Sequence, residues 1–278
     1  MSRNYYCLVA GLPNITLEDS KLSYGSADFL SDIKDFVHKD DFAYFELFRY
    51  VTDNENIYRM LVGHEHKFIE GGNFGMIETE DMLEDPSGAP SYIREYIEEY
   101  NSEEFDEEVD KKRLTVLYYQ YLLKSKNRFV REYFGLELNI KNIFSALNCR
   151  KYGMQTEKEI IDINNVSEAI LKSSSRDFGL SGEFEAVEQL LNIFEIGDMM
   201  KREKAIDLLK WEWLETATFF NYFSIEKLIA YYIKLKMIER WISLDPATGK
   251  ELFDMFIREM EQQGTEAQKN NEKKLNLV

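Results

Sequence analysis

The chain has 278 residues, with four prolines, fourteen glycines and 44% hydrophobic residues, enough to bury a sizeable core and too apolar for a broadly disordered chain. Fifty-one acidic against thirty-four basic side chains give a formal charge of −17, which excludes a role that depends on wrapping nucleic-acid phosphates or anionic lipid with the chain as a whole. No stretch reaches the roughly 18 uninterrupted apolar residues of a spanning helix, because the greasy section from Trp211 to Trp241 is broken by Glu212, Glu215, Glu226, Lys227, Lys234 and Lys236. Cys7 and Cys149 are too few for a disulfide framework, so a reducing cytoplasm is the expected setting, with both thiols structural.

The opening run Tyr5-Tyr6-Cys7-Leu8-Val9-Ala10 reads as a short buried first element, not a leader peptide. Apolar positions at Phe29, Ile33, Phe36 and Val37, then at Phe42, Phe45, Leu47 and Phe48, recur at spacings of three and four and predict short helices. Ile57, Met60, Leu61 and Val62 add another before Gly71-Gly72, a pair that marks a turn or a close backbone approach. Glu84-Asp85-Pro86-Ser87-Gly88-Ala89-Pro90 is the clearest break, since its prolines fix φ and remove donors. It divides a mostly helical region 1–89 from helical bundles over 90–261 that pack on it, followed by a polar tail over 262–278.

Tyr92, Ile93, Tyr96, Ile97 and Tyr100 follow at helical spacing. The sixteen positions from Glu95 to Asp110 then hold nine acidic residues and no basic one. Such a block is either a solvated helix end or a docking surface for a basic partner, with Glu103, Glu104, Asp106, Glu107 and Glu108 at its centre. Leu114, Leu117, Tyr118, Tyr121 and Leu122 form a strong helical stripe; Gly135 is a place to bend or break; Leu136, Ile140, Ile143, Phe144 and Leu147 rebuild a face that ends near Gly153, with Arg150 and Lys151 beside the carbonyl end. Ile160 to Leu171 and Phe184 to Ile196 read as short helices around the turn-rich Ser173–Gly179. Ile206, Leu209, Trp213, Leu214 and Ala217 mark a longer one. After Ser224, a cap candidate, apolar residues from Ile225 to Ile242 cover more than one face, which predicts burial on two sides. Asp245–Gly249 is a stop before a modest helix through Met260.

No enzyme constellation emerges. His64 and His66, with His38 upstream, are the chain's only histidines and could ligate a metal from an extended segment, but on a helix they would diverge by about 200 degrees. Gly71-Gly72-Asn73-Phe74-Gly75 lacks the lysine and hydroxyl of a phosphate-binding loop. Carboxylates are so abundant that abundance nominates none for acid–base work. Most of the seventeen tyrosines and nineteen phenylalanines belong to the core, with a minority left for an interface.

Two segments carry a resemblance. Asn139-Ile140-Lys141-Asn142-Ile143-Phe144-Ser145-Ala146-Leu147 is similar to a recurring helix of the C/d (AC39-type) central-stalk subunits of V-type rotary ATPases. Asn221–Trp241 resembles that family's late segment, in which a phenylalanine-rich turn around Phe223 leads into a long helix through Leu228 and Ile229 to a glutamate and arginine, here Glu239 and Arg240. Tyr5-Tyr6-Cys7-Leu8-Val9-Ala10-Gly11-Leu12-Pro13 is closer still to the opening of a bacterial family of unassigned function associated with these ATPases.

The resemblance implies a mainly α, compact, multi-bundle fold like the family's funnel of three similar bundles. It implies no chemistry and no cofactor, and a non-catalytic subunit of an ATP-driven or ATP-synthesising complex active in ion or proton transport. Its partners would be the central-stalk axle subunits and the membrane rotor ring, which it would join from the cytoplasm without a spanning segment. Lys141 and Arg240 would hold helix ends, pair with acids or touch a partner. A metal-dependent enzyme using His64 and His66, or an acidic helical adaptor unrelated to an ATPase, are the competing expectations.

Overall fold

The computed structural model describes residues 3–63, 67–100 and 104–244. The turn at Asp245–Gly249, the helix expected through Met260 and the polar tail lie outside the described residues, as do His64, His66 and Glu103. Twelve α-helices and no strand are found among the described residues. In chain order they are α1 (Tyr6–Ala10), α2 (Ser26–Ile33), α3 (Lys39–Leu61), α4 (Met76–Glu84), α5 (Ser91–Glu99), α6 (Glu107–Leu122), α7 (Arg128–Tyr152), α8 (Thr156–Glu159), α9 (Asn165–Lys172), α10 (Val187–Phe194), α11 (Met199–Thr218) and α12 (Ile225–Leu244). The fold is an all-α multi-helix bundle, and no described helix is long and apolar enough to cross a membrane.

Local signals set most boundaries. Asn127, Asp198 and Asp106 each accept a backbone N–H of the first turn of α7, α11 and α6, and α7 stops at Gly153, whose φ of 69° is a left-handed value that glycine adopts without a Cβ penalty. Arg150 and Lys151 lie in the last turn, beside the negative end of the helix dipole. Pro86–Gly88 forms a 3-10 turn between α4 and α5, and helices on both sides of it contribute to one core.

Burial falls into two apolar clusters. The first gathers α1 to α6, the start of α7 and most of α12; Phe29, Phe45 and Tyr232 meet there with ring centroids 5.6 to 6.4 Å apart, and Phe48 stacks on Phe134 at 4.7 Å. The second gathers the later part of α7 with α9, α10 and the first half of α11. Trp213 packs against both. The wide apolar surface of α12 is explained by its contacts with α2, α3 and α11, and Leu228, Ile229, Leu235 and Ile238 are wholly buried.

Three local expectations are corrected. Gly135 does not break α7, which runs unbroken for 25 residues; the small residue faces Leu123, whose Cδ2 would lie 3.9 Å from a Cβ placed there. Ile160 to Leu171 is not one helix: Ile160 and Ile161 are buried in non-helical backbone between α8 and α9. The first element is a helix with only one side covered, for Tyr5 and Val9 are buried while Tyr6 and Cys7 are exposed.

Leu228→Ala or Ile229→Ala should cost about 2 to 5 kcal/mol in denaturant melts, whereas Phe220→Ala, at a position 92% exposed, should stay within about 0.5 kcal/mol. Burial also pushes tyrosine hydroxyls up, Tyr24 and Tyr232 to about 12 and Tyr92, Tyr118 and Tyr133 further. Tyrosines in the unfolded chain ionise from about pH 10, so their stabilisation is complete below that pH and is lost as pH rises towards 12. Alkaline titration should therefore show tyrosinate absorbance appearing together with loss of helical circular dichroism.

Candidate functional site

The polar interior is organised around three long helices that grip the lead-in to a short one. On α7, Asn142 is fully buried and turns its side-chain amide towards one peptide: Nδ2 donates to the Ile161 carbonyl at 2.9 Å, and Oδ1 accepts the Ile161 N–H at 3.0 Å. One turn earlier Asn139 Oδ1 accepts from Asn164 Nδ2 at 2.9 Å. Asn164 then caps α9, its Oδ1 accepting the Ser167 N–H while the Ser167 hydroxyl oxygen accepts the Asn164 N–H.

The same device appears on α3. Asn56 donates to the Ile69 carbonyl at 2.8 Å and accepts the Ile69 N–H at 2.9 Å. One turn earlier, the buried Asp53 accepts the Asn73 N–H at 2.7 Å, the Phe74 N–H at 3.1 Å and Asn73 Nδ2 at 2.7 Å. Arg49 adds bonds to the carbonyls of Gly71 and Gly72. Gly72 is obligatory here, since a Cβ would collide with Asp53 Oδ1, which is the close approach that the Gly71-Gly72 pair signals. Burial raises the Asp53 carboxyl above its ordinary value although these donors oppose the shift. The lead-in ends at Gly75, whose N–H donates to Glu78 in the first turn of α4.

On α12 the grip is made by a carboxylate. Glu239 accepts the Ser26 N–H at 2.6 Å and the Ser26 hydroxyl at 2.7 Å, at the start of α2, and a Cβ on Gly25 would lie 3.0 Å from Glu239 Oε1. Gly25 donates to Asp28 as Gly75 does to Glu78, so Tyr24-Gly25-Ser26-Ala27-Asp28 and Phe74-Gly75-Met76-Ile77-Glu78 share an aromatic-glycine-x-x-acid helix start.

The remaining nominated residues occupy distinct places. Ile140 and Ile143 fill the second core, and Leu228 and Ile229 the first. Arg240 pairs with the buried Asp207 and lies 3.8 Å from Glu203, and the Trp241 indole donates to Asp207 at 2.8 Å. Phe223 is in the exposed turn before α12, its carbonyl accepting the Tyr5 N–H at 2.6 Å and its ring 4.5 Å from that of Tyr6.

Part of the acidic block is absorbed by local structure. Asp106 accepts the N–H groups of Glu108 and Val109, Glu107 and Glu108 stand at the positive end of α6, and Arg113 forks onto Glu99 and reaches Glu95. Asp106, Glu108 and Lys141 line one surface groove of about 760 Å3. Glu104 is exposed. Among the described residues no group of three histidine, cysteine, aspartate or glutamate side chains is arranged to hold a metal ion. His38, the described histidine, caps α3 by accepting the Asp40 N–H at 3.3 Å.

Residues 1–264 match the family described as Protein of unknown function (DUF2764). The chain belongs to this family. No curated protein and no solved structure matches it. The match to DUF2764 spans all three grips.

Asn56, Asn142 and Asp53 were not among the residues nominated from the sequence. Their signal was the pairing of Asp53-Asn54-Glu55-Asn56-Ile57 with Asn139-Ile140-Lys141-Asn142-Ile143, two runs with a polar residue, an asparagine three places on and an isoleucine next.

Asn142→Ala strands the buried N–H and C=O of Ile161 and should cost about 2 to 5 kcal/mol, while Asn139→Ala, whose partner is a side chain, should cost about 1 kcal/mol or less. Chemical denaturation of the two variants checks the contrast.

Proposed function

We propose that this chain is a non-catalytic, load-bearing subunit of a V-type rotary ATPase, coupling the central-stalk axle to the membrane rotor ring. The observation that carries the proposal is the repeated amide grip, Asn56 on Ile69 and Asn142 on Ile161, each preceding a short helix. A body built by repeating a helical unit is what the resemblance of Asn139–Leu147 and Asn221–Trp241 implies, and the second grip lies within the first of those segments. Torque transmission requires that connections resist deformation as well as helices do. Close-packed interiors transmit strain, and buried polar groups whose partners are all present hold a segment in one place. In this reading Lys141, Glu239 and Arg240 serve the body's rigidity or its contacts, and no residue carries protons or ions.

Glu104, Glu107 and Glu108 form no ion pair among the described residues, which favours a second reading as an acidic adaptor for a basic protein. Affinity purification from cells at native expression separates the two. Enrichment of axle or ring subunits is the expected result; enrichment of neither, together with salt-sensitive capture of a basic protein unrelated to the ATPase, would overturn the rotary reading in favour of the adaptor.

A further inference from the structure

Charged side chains make up 31% of the chain, yet residues 4–17 and 216–225 contain none. The structure brings these two runs together. Glu215 of α11 pairs with Lys227 and Lys234 of α12, and Asp207 with Arg240, so the two helices run antiparallel and residues 219–224 form the turn that closes the hairpin. Against that turn lies the start of α1: the Tyr5 N–H donates to the Phe223 carbonyl at 2.6 Å, and the Tyr6 and Phe223 ring centroids are 4.5 Å apart.

Five aromatic rings are exposed at this tip. Phe219 packs on Phe220 at 5.0 Å and Tyr222 on Phe223 at 5.1 Å, while the N–H groups of Asn221 and Ser224 donate back to the carbonyls of Thr218 and Asn221 and hold both pairs in one tight turn. Exposure rises from 36% at Phe223, through about half at Tyr6 and Tyr222, to 70% at Phe219 and 92% at Phe220. At roughly 200 Å2 for a whole ring, the five present about 600 Å2 of aromatic surface, the upper end of what an ordinary monomer carries in one apolar patch. The charged residues that bound the two runs are engaged elsewhere: Arg3 with Asp40 and Asp41, Glu18 with Lys204, Glu215 with Lys227 and Lys234, and Glu226 with Asn127.

We propose that this aromatic tip inserts into the interface of a zwitterionic lipid bilayer. Three observations select that occupant. A charged partner finds nothing to pair with in two runs that hold no charge, and the −17 of the whole chain opposes an anionic surface, which leaves a zwitterionic one. The most exposed rings are phenylalanines, suited to the acyl boundary, while the less exposed Tyr6 and Tyr222 carry hydroxyls suited to the headgroup level. A second copy of the chain is disfavoured by area, since about 600 Å2 falls short of the roughly 800 Å2 per partner that a stable interface buries, whereas a bilayer receives a projecting turn without a complementary pocket. The proposal does not rest on the rotary-ATPase reading and survives that reading's failure.

The full chain should co-sediment with phosphatidylcholine vesicles, and Phe219→Ser combined with Phe220→Ser should lower that partition about tenfold or more, because binding scales with the apolar area inserted. Ile77→Ser, at an exposed apolar position on α4, should leave it unchanged. Adding phosphatidylserine should weaken binding. No partition into phosphatidylcholine vesicles would overturn the proposal, and so would binding that requires phosphatidylserine and is removed by salt, which would assign the contact to a basic patch. Concentration-dependent dimers abolished by the same double substitution, without vesicle binding, would also overturn it and assign the tip to a second copy. Independently, Phe220→Trp should keep the partition, and the emission of the added indole, taken as the difference from the unsubstituted chain, should shift to the blue when vesicles are added; an unshifted emission would count against insertion.

Discussion

The architecture depends on a pair of parallel hydrogen bonds between one side-chain amide and one peptide group. An all-helical chain has no sheet in which extended backbone can satisfy its N–H and C=O groups, yet Ile160, in the second core, and Ile161 are buried in non-helical conformation. Asn142 supplies both partners of Ile161 at once, and the Ile160 N–H donates to the Thr156 carbonyl at 3.1 Å, so the pair is buried without stranding these groups. Leucine at that position would fill similar space and leave two orphaned polar groups. The same solution at Asn56 holds Ile69, and each gripped segment leads into a capped helix start, Asn164 with Ser167 at α9 and Gly75 with Glu78 at α4.

Each grip is tuned by its neighbours. Asp53 adds a buried charge where Asn139 does not, and the charge is tolerated because three donors from Asn73 and Phe74 converge on it while Arg49 anchors the adjoining carbonyls. The two cores are joined by helices that pass through both. Phe129 to Phe134 of α7 lie in the first and Leu136 to Ala146 in the second; Leu214 of α11 lies in the first and Ile206 and Leu209 in the second. Gly135 falls at the crossover on α7, opposite Leu123 at the C-terminal cap of α6.

Periodicity revealed the long helices because they obey a local rule: apolar residues at every third or fourth position, on one face in α6 and α7 and on more than one in α12. It misread Ile160–Leu171 because the conformation there is imposed by Asn142, nineteen residues earlier, and an apolar pair beside a helical pattern looks like more helix. Asp53 and Asn56 were missed for the converse reason: polar residues on a helix read as its solvated side unless their partners are known, and those partners are mostly backbone groups, so only the paired pattern marks them. Asp106 was visible as charge and is better understood as a cap, a role decided by which N–H groups lie in front of it.

The restraint of α12 follows from the same economy. Its start is tied through the Phe223 carbonyl to Tyr5, whose hydroxyl donates to Asp41 near the start of α3 at 2.5 Å. Its end is tied by Glu239 to α2 and by Arg240 and Trp241 to Asp207 of α11. Between these ties Phe29 and Phe45 pack against Tyr232, and Lys234, itself buried, is neutralised by Glu215. Bending the helix would have to open the aromatic core or take the buried Lys234 or Asp207 from its partner, and each costs more than the same change between two exposed groups. α12 is thus tied at its start and near its end, and it is buried or half-buried from Ile225 to Ile238 with Lys236 as the exposed exception.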